Sequence, residues 1–178
     1  MNILENEVIR LRALEPCDIE LLYIWENDIG AWQAGETIVP FSRYILQQYV
    51  ANASFDIYEA KQLRLMIDAK DNDIPVTVGT IDLFDFNPYH KRAGVGILIY
   101  SPQNRQKGYA TQALKLLIDY AFTVLNLHQL YCNVAAGNQK SLTLFRNSGF
   151  EITGLKREWI YNGENWENEY LLQLLADN

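Results

Sequence analysis

The chain has 178 residues, with 15 Lys and Arg against 22 Asp and Glu for a formal charge of −7, and 49% of its side chains are apolar. That length and composition fit one domain over residues 1–178 with enough apolar surface for a core, and they exclude wholesale disorder. An acidic surface repels phosphate backbones, so a general nucleic-acid partner is disfavoured, whereas a cationic ligand is tolerated.

No stretch approaches the ~20 apolar residues that cross a bilayer. Met1 to Glu7 lacks the basic start and apolar run of a secretory signal. No membrane partner and a cytoplasmic location are therefore expected. Cys17 and Cys132 make neither a disulfide framework nor a recognisable metal site, and no metal is expected.

In chain order, Ile9 and Leu11 alternate with Val8, Arg10 and Arg12, the pattern of an opening strand. Pro16 suits a first helical turn, followed by the apolar stripe of Ile19, Leu22, Tyr23 and Trp25, whose Trp25 is assigned to the core. Ser42 is placed to cap a second helix carrying Tyr44, Ile45, Gln48 and Tyr49. Between these helices, the loop from Gly30 to Pro40 holds Trp32 and Glu36 without an obvious packing role.

Three hairpin-linked strands follow: one through Leu63, Leu65 and Ile67, a second over Val76 to Phe86, a third over Ala93 to Tyr100. Ala110, Ala113, Leu114, Leu117, Ile118 and Ala121 then recur at helical spacing, the clearest helix in the chain. Leu130, Cys132 and Val134 alternate as a strand, Asn138 is placed to cap a short helix, and Gly149 to end it. Asn162-Gly163 is a two-residue hairpin signal between the last two strands, across which Trp159 and Trp166 are expected to pack. The order β-α-α-β-β-β-α-β-α-β-β predicts a mixed sheet in an α/β domain.

Arg105-Gln106-Lys107-Gly108-Tyr109-Ala110-Thr111 opens the clearest helix directly after a strand. A helix start offers unpaired N–H groups and a positive dipole end, which together attract phosphate. Gly108 and Ala110 would let a diphosphate reach the backbone, Arg105 and Lys107 add charge, and Thr111 adds a hydroxyl. An ordinary glycine-capped loop reads the same way. Neither GxxxxGK[ST] nor GxGxxG is present.

Together with its surroundings this segment resembles the GNAT superfamily of acyl-coenzyme A-dependent N-acetyltransferases. Arg105, Gly108 and Ala110 match that family's Arg/Gln-x-x-Gly-x-Gly/Ala motif. The preceding strand is similar over Gly94 to Tyr100, and the later motif over Asn138-Gln139-Lys140-Ser141 through Phe145 to Gly149-Phe150. Within the superfamily the chain is most similar to the branch holding ribosomal-protein N-terminal acetyltransferases and bacterial spermidine acetyltransferases.

The resemblance implies a mostly antiparallel sheet flanked by helices and splayed between its fourth and fifth strands. It also implies acetyl-coenzyme A as co-substrate, and a bulged fourth strand against which the pantetheine arm lies as a false strand along Ile97, Leu98 and Ile99. The phosphate loop, Asn138, Ser141 and Phe145 would complete the coenzyme contacts. Gly94 and Gly96 suit a bulged strand, or equally a buried strand with close neighbours.

The implied reaction is attack of a neutral amine on a thioester. A lysine-like amine has a pKa near ~10.4, so the site must accept a proton and stabilise an oxyanion. The Leu98 amide is the expected oxyanion donor. Two departures stand out: Phe145 occupies the place of the family's acid tyrosine, and Gly94 that of a glutamate. Ser141 would then bond the coenzyme sulfur or a nearby water, or serve only as a helix-first-turn hydroxyl.

Asp82 and Asp85 match acidic positions of the spermidine-type enzymes and point opposite ways if their strand is regular. One of them, Asp85 first, is expected to draw a cationic amine or relay its proton; alternatively both are solvated acids. Glu36 and Trp32 are candidates for the acceptor wall, Trp32 through cation–π contact. A small polyamine is the expected acceptor, with a protein N-terminus as the alternative and a non-catalytic acyl-coenzyme A sensor as the rival class. A homo-oligomer is compatible with the branch.

Overall fold

The computed structural model describes residues 3–28, 39–53, 56–70 and 74–176. Within them seven strands form: β1 (Ile9–Ala13), β2 (Leu63–Ala69), β3 (Val76–Asn87), β4 (Arg92–Ile99), β5 (Gln129–Ala135), β6 (Glu151–Tyr161) and β7 (Trp166–Leu175), with apolar and polar residues alternating most clearly in β1 and β5. They make one sheet in the order β1-β2-β3-β4-β5-β7-β6. Every neighbouring pair is antiparallel except β4 with β5. Helices α1 (Ile19–Glu26), α2 (Arg43–Asn52), α3 (Ile57–Ala60), α4 (Tyr109–Thr123) and α5 (Gln139–Asn147) flank it.

Pro16 opens a 3-10 turn, Pro16–Asp18, that leads into α1, and the Ser42 hydroxyl caps α2 by accepting from the Ile45 amide at 3.2 Å. One element was not expected. The single turn α3 forms because the Asp56 carboxylate accepts from the Tyr58 and Glu59 amides at 2.8 and 3.0 Å. An Asp cap on a four-residue helix leaves no periodicity to read.

The two sheet faces bury separate cores. On one face α4 presents Ala113, Leu114 and Leu117 to Ile67, Ile81, Val95 and Leu130, all fully or nearly fully buried. On the other, Leu22 of α1 with Leu46 and Val50 of α2 pack on Met66. The Asn27 side chain ties the end of α1 to the start of α2, donating to the Phe41 carbonyl at 3.0 Å and accepting from its amide at 2.9 Å.

Two local expectations are corrected here. The bulge lies on β3 and not on β4: Phe84 pairs with Gly94 and Asn87 with Arg92, so Asp85 and Phe86 face a single residue of the partner. Asp85 takes up the extra length with φ +48. At the terminal hairpin, Tyr161 pairs with Trp166, so the loop has four residues rather than two. Asn162 holds that loop together, its side-chain oxygen accepting from the Glu164 and Asn165 amides at 3.1 and 2.8 Å. Trp166 packs on Tyr161, whereas Trp159 lies under the Lys156 ammonium. The two tryptophans do not meet because β6 bulges between Lys156 and Ile160.

Candidate active site

β4 and β5 pair over only three residues, Arg92↔Gln129, Ala93↔Leu130 and Gly94↔Tyr131. Past Gly94 the strands part, and Gly96, Ile97 and Leu98 become partly exposed between buried Val95 and Ile99. The parting leaves a slot with a main-chain edge on its β4 side.

Which main-chain groups face that slot follows from the ladder. The Tyr100 amide donates to the Val78 carbonyl at 3.2 Å, directly opposite it in register, so even-numbered residues of β4 exchange hydrogen bonds with β3. The Leu98 carbonyl lies against β3 so closely that a Cβ on Gly79 would meet it at 2.2 Å. At the other end the Lys91 carbonyl accepts from the Gln129 amide at 3.2 Å, so odd-numbered residues face β5. Val95, Ile97 and Ile99 therefore turn their peptide groups to the slot, while Leu98 turns its own to Thr80. The Leu98 peptide group, expected to face the slot, is turned to β3 because β4 is regular where a bulge was anticipated.

The slot runs toward the start of α4. Gln106 and Gly108 have positive φ, +62 and +84, and Gly108 is the residue before the first helical turn. A Cβ at Gly108 would meet nothing within 4 Å, so the space above it is open. No side chain caps the helix, whose first internal bond runs from the Gln112 amide to the Gly108 carbonyl. The expected cluster of helix-start amides over 109–111 is thus present, with Thr111 exposed beside it and Lys107 exposed over the Tyr109 ring. Arg105, expected at the same diphosphate, is tied to the main chain. Its guanidinium donates to the Ile99 and Tyr100 carbonyls at 2.9 and 3.0 Å, bracing the loop against the end of β4.

On the far side of the slot, the Asn138 side chain caps α5 by accepting from the Ser141 amide at 3.1 Å, and Ser141 is half-buried in the first turn. Phe145 lies in the core, 3% exposed and edge-to-face with Phe150 at 5.1 Å. It forms a wall behind α5.

The face that carries α1 and α2 holds the charged groups. Arg64 of β2 grips Asp82 of β3 with two hydrogen bonds, 2.7 and 3.1 Å, and Glu26 of α1 with a third of 2.7 Å. Burial opposes the Arg64 charge, but Asp82, Tyr49 and Glu26 outweigh it and the guanidinium stays a firm cation. Two carboxylates thus share one guanidinium. A cavity of about 210 Å³ opens against it, lined by Glu26, Phe41, Tyr49 and Arg64 among others. Beside it Trp25 stacks on Tyr100 with centroids 4.1 Å apart, and burial together with Glu26 pushes the Tyr100 phenol up to about 12.

Glycine keeps β4 bare on this face. A methyl group at Gly96 would sit 4.0 Å from the Asp82 carboxylate, while one at Gly94 would strike the Phe84 ring at 2.2 Å. The position where the resemblance expects a glutamate is occupied by the Phe84 ring. Asp85, expected to oppose Asp82, is exposed, and its Oδ2 accepts from the Tyr131 hydroxyl at 3.0 Å.

Glu36 and Trp32 lie outside the described residues. Glu26, Arg64, Tyr49, Phe84 and Tyr131 were not singled out from sequence. Only Tyr131 had a readable signal, as an aromatic on a strand that borders the slot. Among the described residues no group of three or more His, Cys, Asp or Glu gathers at metal-binding distance, and no helix is long and apolar enough to cross a membrane. A larger open trough of about 610 Å³, near Lys91 and His128, contains none of these groups.

Comparison with known proteins gives the site a context. An acetyltransferase (GNAT) domain matches residues 9–151. The chain is 44% identical over 157 residues to the spermidine N(1)-acetyltransferase of Escherichia coli (strain K12), covering 88% of this chain and 80% of that protein. Its fold superposes with a TM-score of 0.81, at 25% identity and over 96% of both chains, on spermidine N-acetyltransferase from Vibrio cholerae in complex with CoA and spermine. A dodecameric structure of the same Vibrio cholerae enzyme aligns with a TM-score of 0.78 at 25% identity, over 96% of this chain and 95% of that one. With the family match running from β1 to the start of β6, over a sheet that parts between β4 and β5, the chain belongs to the GNAT acetyltransferase family.

Proposed function

We propose that this chain, as a single transferase domain over residues 1–178, moves an acetyl group from acetyl-coenzyme A to a primary amine of a polyamine such as spermidine. The observation that carries the reading is the slot itself. It joins an uncapped, glycine-led helix start to slot-facing main-chain groups of β4, and it opens beside the Asp82–Arg64–Glu26 cluster. The 44% identity to a spermidine N(1)-acetyltransferase supports a polyamine over a protein N-terminus.

The coenzyme supplies an acetyl group activated as a thioester. Amides of the 105–111 loop, with Gln106, Lys107, Tyr109, Ala110 and Thr111 around Gly108, hold its diphosphate, and Arg105 keeps that loop in shape. The peptide group of Ile97 and the amide of Ile99, whose carbonyl is taken by Arg105, receive the extended arm, and the Ile97 amide takes the oxyanion role in place of Leu98. Asn138 sets the start of α5 so that Ser141 borders the arm, and Phe145 backs it. Asp82 and Glu26, held by Arg64, seat a distal ammonium of the amine. Glu36 and Trp32 are further candidates for the acceptor wall. Holding both reactants in one slot removes the entropic cost of their encounter.

The chain acts in the cytoplasm on a small cationic substrate, with no nucleic acid or membrane partner, in keeping with its charge of −7. It assembles with copies of itself, as the dodecameric Vibrio cholerae enzyme does.

Coenzyme release measured with spermidine, spermine and N-terminal peptides tests the reading. Spermidine is expected to accelerate release well above background, and Asp82→Asn to raise its KM about 10-fold, roughly 1.4 kcal/mol, with acetyl-coenzyme A affinity kept. Coenzyme binding without turnover on any amine would establish the sensor instead.

A further inference from the structure

Phe145 cannot exchange a proton and Gly94 carries no carboxylate, so the transferase reading leaves its proton acceptor unnamed. The apex of the slot holds a pair that fits the part. Tyr131 is the last β5 residue to pair with β4, opposite Gly94. Leu130, Cys132 and Val134 turn to the α4 core, so Tyr131 turns to the opposite face, where its ring meets Phe84 edge-to-face at 5.9 Å. That is the face on which Gly96 leaves β4 bare beside Asp82, while the Phe84 ring that Tyr131 packs against covers Gly94. An amine seated at Asp82 approaches the slot across Gly96, along the side of the Phe84 ring.

The β3 bulge makes the pair. Leu83 and Phe86 both enter the α4 core although three residues apart, so one residue between them is surplus to the two-residue alternation. Asp85 absorbs it in the left-handed region, φ +48, and reaches Tyr131 instead of entering the core. A carboxylate only accepts, so the Tyr131 hydroxyl is the donor in the 3.0 Å bond to Asp85 Oδ2, and its own lone pairs are directed elsewhere.

We propose that the Tyr131 hydroxyl is the catalytic proton acceptor of this transferase and that Asp85 acts through it. As the C–N bond forms to the acetyl carbon, the amine proton passes to Tyr131 Oη and the phenolic proton passes to Asp85 Oδ2. The C–S bond breaks with its electron pair left on sulfur, which takes a proton from water, and Asp85 returns its own to water. Burial and then the bond to Asp85 push the phenol up to about 12, so at neutral pH it stays protonated and ready to relay. Arg92 is the other charged group acting on that hydroxyl.

The inference rests on the proposed transferase activity, and the experiment separates the two. Wild type, Tyr131→Phe, Asp85→Asn and the double variant are compared for kcat and KM with spermidine, and for acetyl-coenzyme A affinity by calorimetry. Tyr131→Phe keeps the ring, and asparagine tolerates positive φ at position 85. Tyr131→Phe is expected to lower kcat about 100-fold with KM and coenzyme affinity within about twofold. Asp85→Asn is expected to lower kcat at least about tenfold, and the double variant to fall no further than Tyr131→Phe alone. Unchanged kcat in either single variant, or losses that multiply, overturns the relay while leaving the transferase standing. A wild-type chain that turns over no amine overturns the transferase reading itself.

Discussion

At the scale of the residue, the departures from the family pattern have causes in the packing. Gly94 is not a lost glutamate awaiting replacement, because the Phe84 ring fills the volume a side chain would need. Gly94→Ala is expected to destabilise the chain by about 1–3 kcal/mol through overpacking. The same substitution in a Phe84→Ala background should cost much less. Paired thermal melts of the four proteins measure that coupling. The two cysteines differ in the same physical way. Cys132 is buried and its thiol is pushed up to about 12, while Cys17 is exposed. Thiolate chemistry at neutral pH is therefore closed to Cys132.

Among elements, the start of α4 depends on Arg105. It satisfies two main-chain carbonyls where β4 ends and so fixes the angle at which the 105–111 loop meets the helix. Arg105→Lys keeps the charge but not the planar fork. It is expected to weaken acetyl-coenzyme A binding about fivefold, roughly 1 kcal/mol, with kcat at saturation nearly unchanged; calorimetry and steady-state assays read the two effects apart. If charge alone mattered at position 105, the lysine variant would bind as wild type does. The bulge on β3 is the other element-level device, since one surplus residue moves Asp85 from the direction a regular strand dictates to the Tyr131 side.

Across the whole molecule, stability at the open edge of the sheet rests on an ionic network remote from the slot. Arg12 donates to Asp18 at 2.7 and 2.9 Å and to Asp68 at 2.8 Å, and Arg10 adds a 3.0 Å bond to Asp68. Burial by itself would raise both carboxyls, but Arg12 with the Glu15 amide at Asp18, and Arg10, Thr77 and Arg12 at Asp68, outweigh it and hold both below the usual carboxylate range. A carboxyl depressed in the folded state adds stability above its unfolded pKa, near ~3.9 for aspartate, and that contribution is lost as pH falls through the lower folded value. Denaturant midpoints are thus expected to hold steady from neutral pH to about 5 and to drop below about 4. Arg12→Gln should lower stability at neutral pH by about 2–4 kcal/mol and flatten the acid limb.

Much of this was legible in the chain itself. Apolar patterns and turn signals located the seven strands and four of the five helices, Asn138 and Ser42 announced their caps, and the Arg105–Thr111 segment marked the uncapped helix start at one end of the slot. These features are local: a period, a cap or a glycine is decided by residues a few positions apart. Three things required the tertiary structure. The bulge on β3 decides where Asp85 points, register decides that Ile97 and Ile99 rather than Leu98 face the slot, and packing brings Glu26, Arg64 and Asp82 together from three elements. Each depends on which partner strand a residue meets, and a shift of one position reverses the side to which every later side chain and peptide group turns.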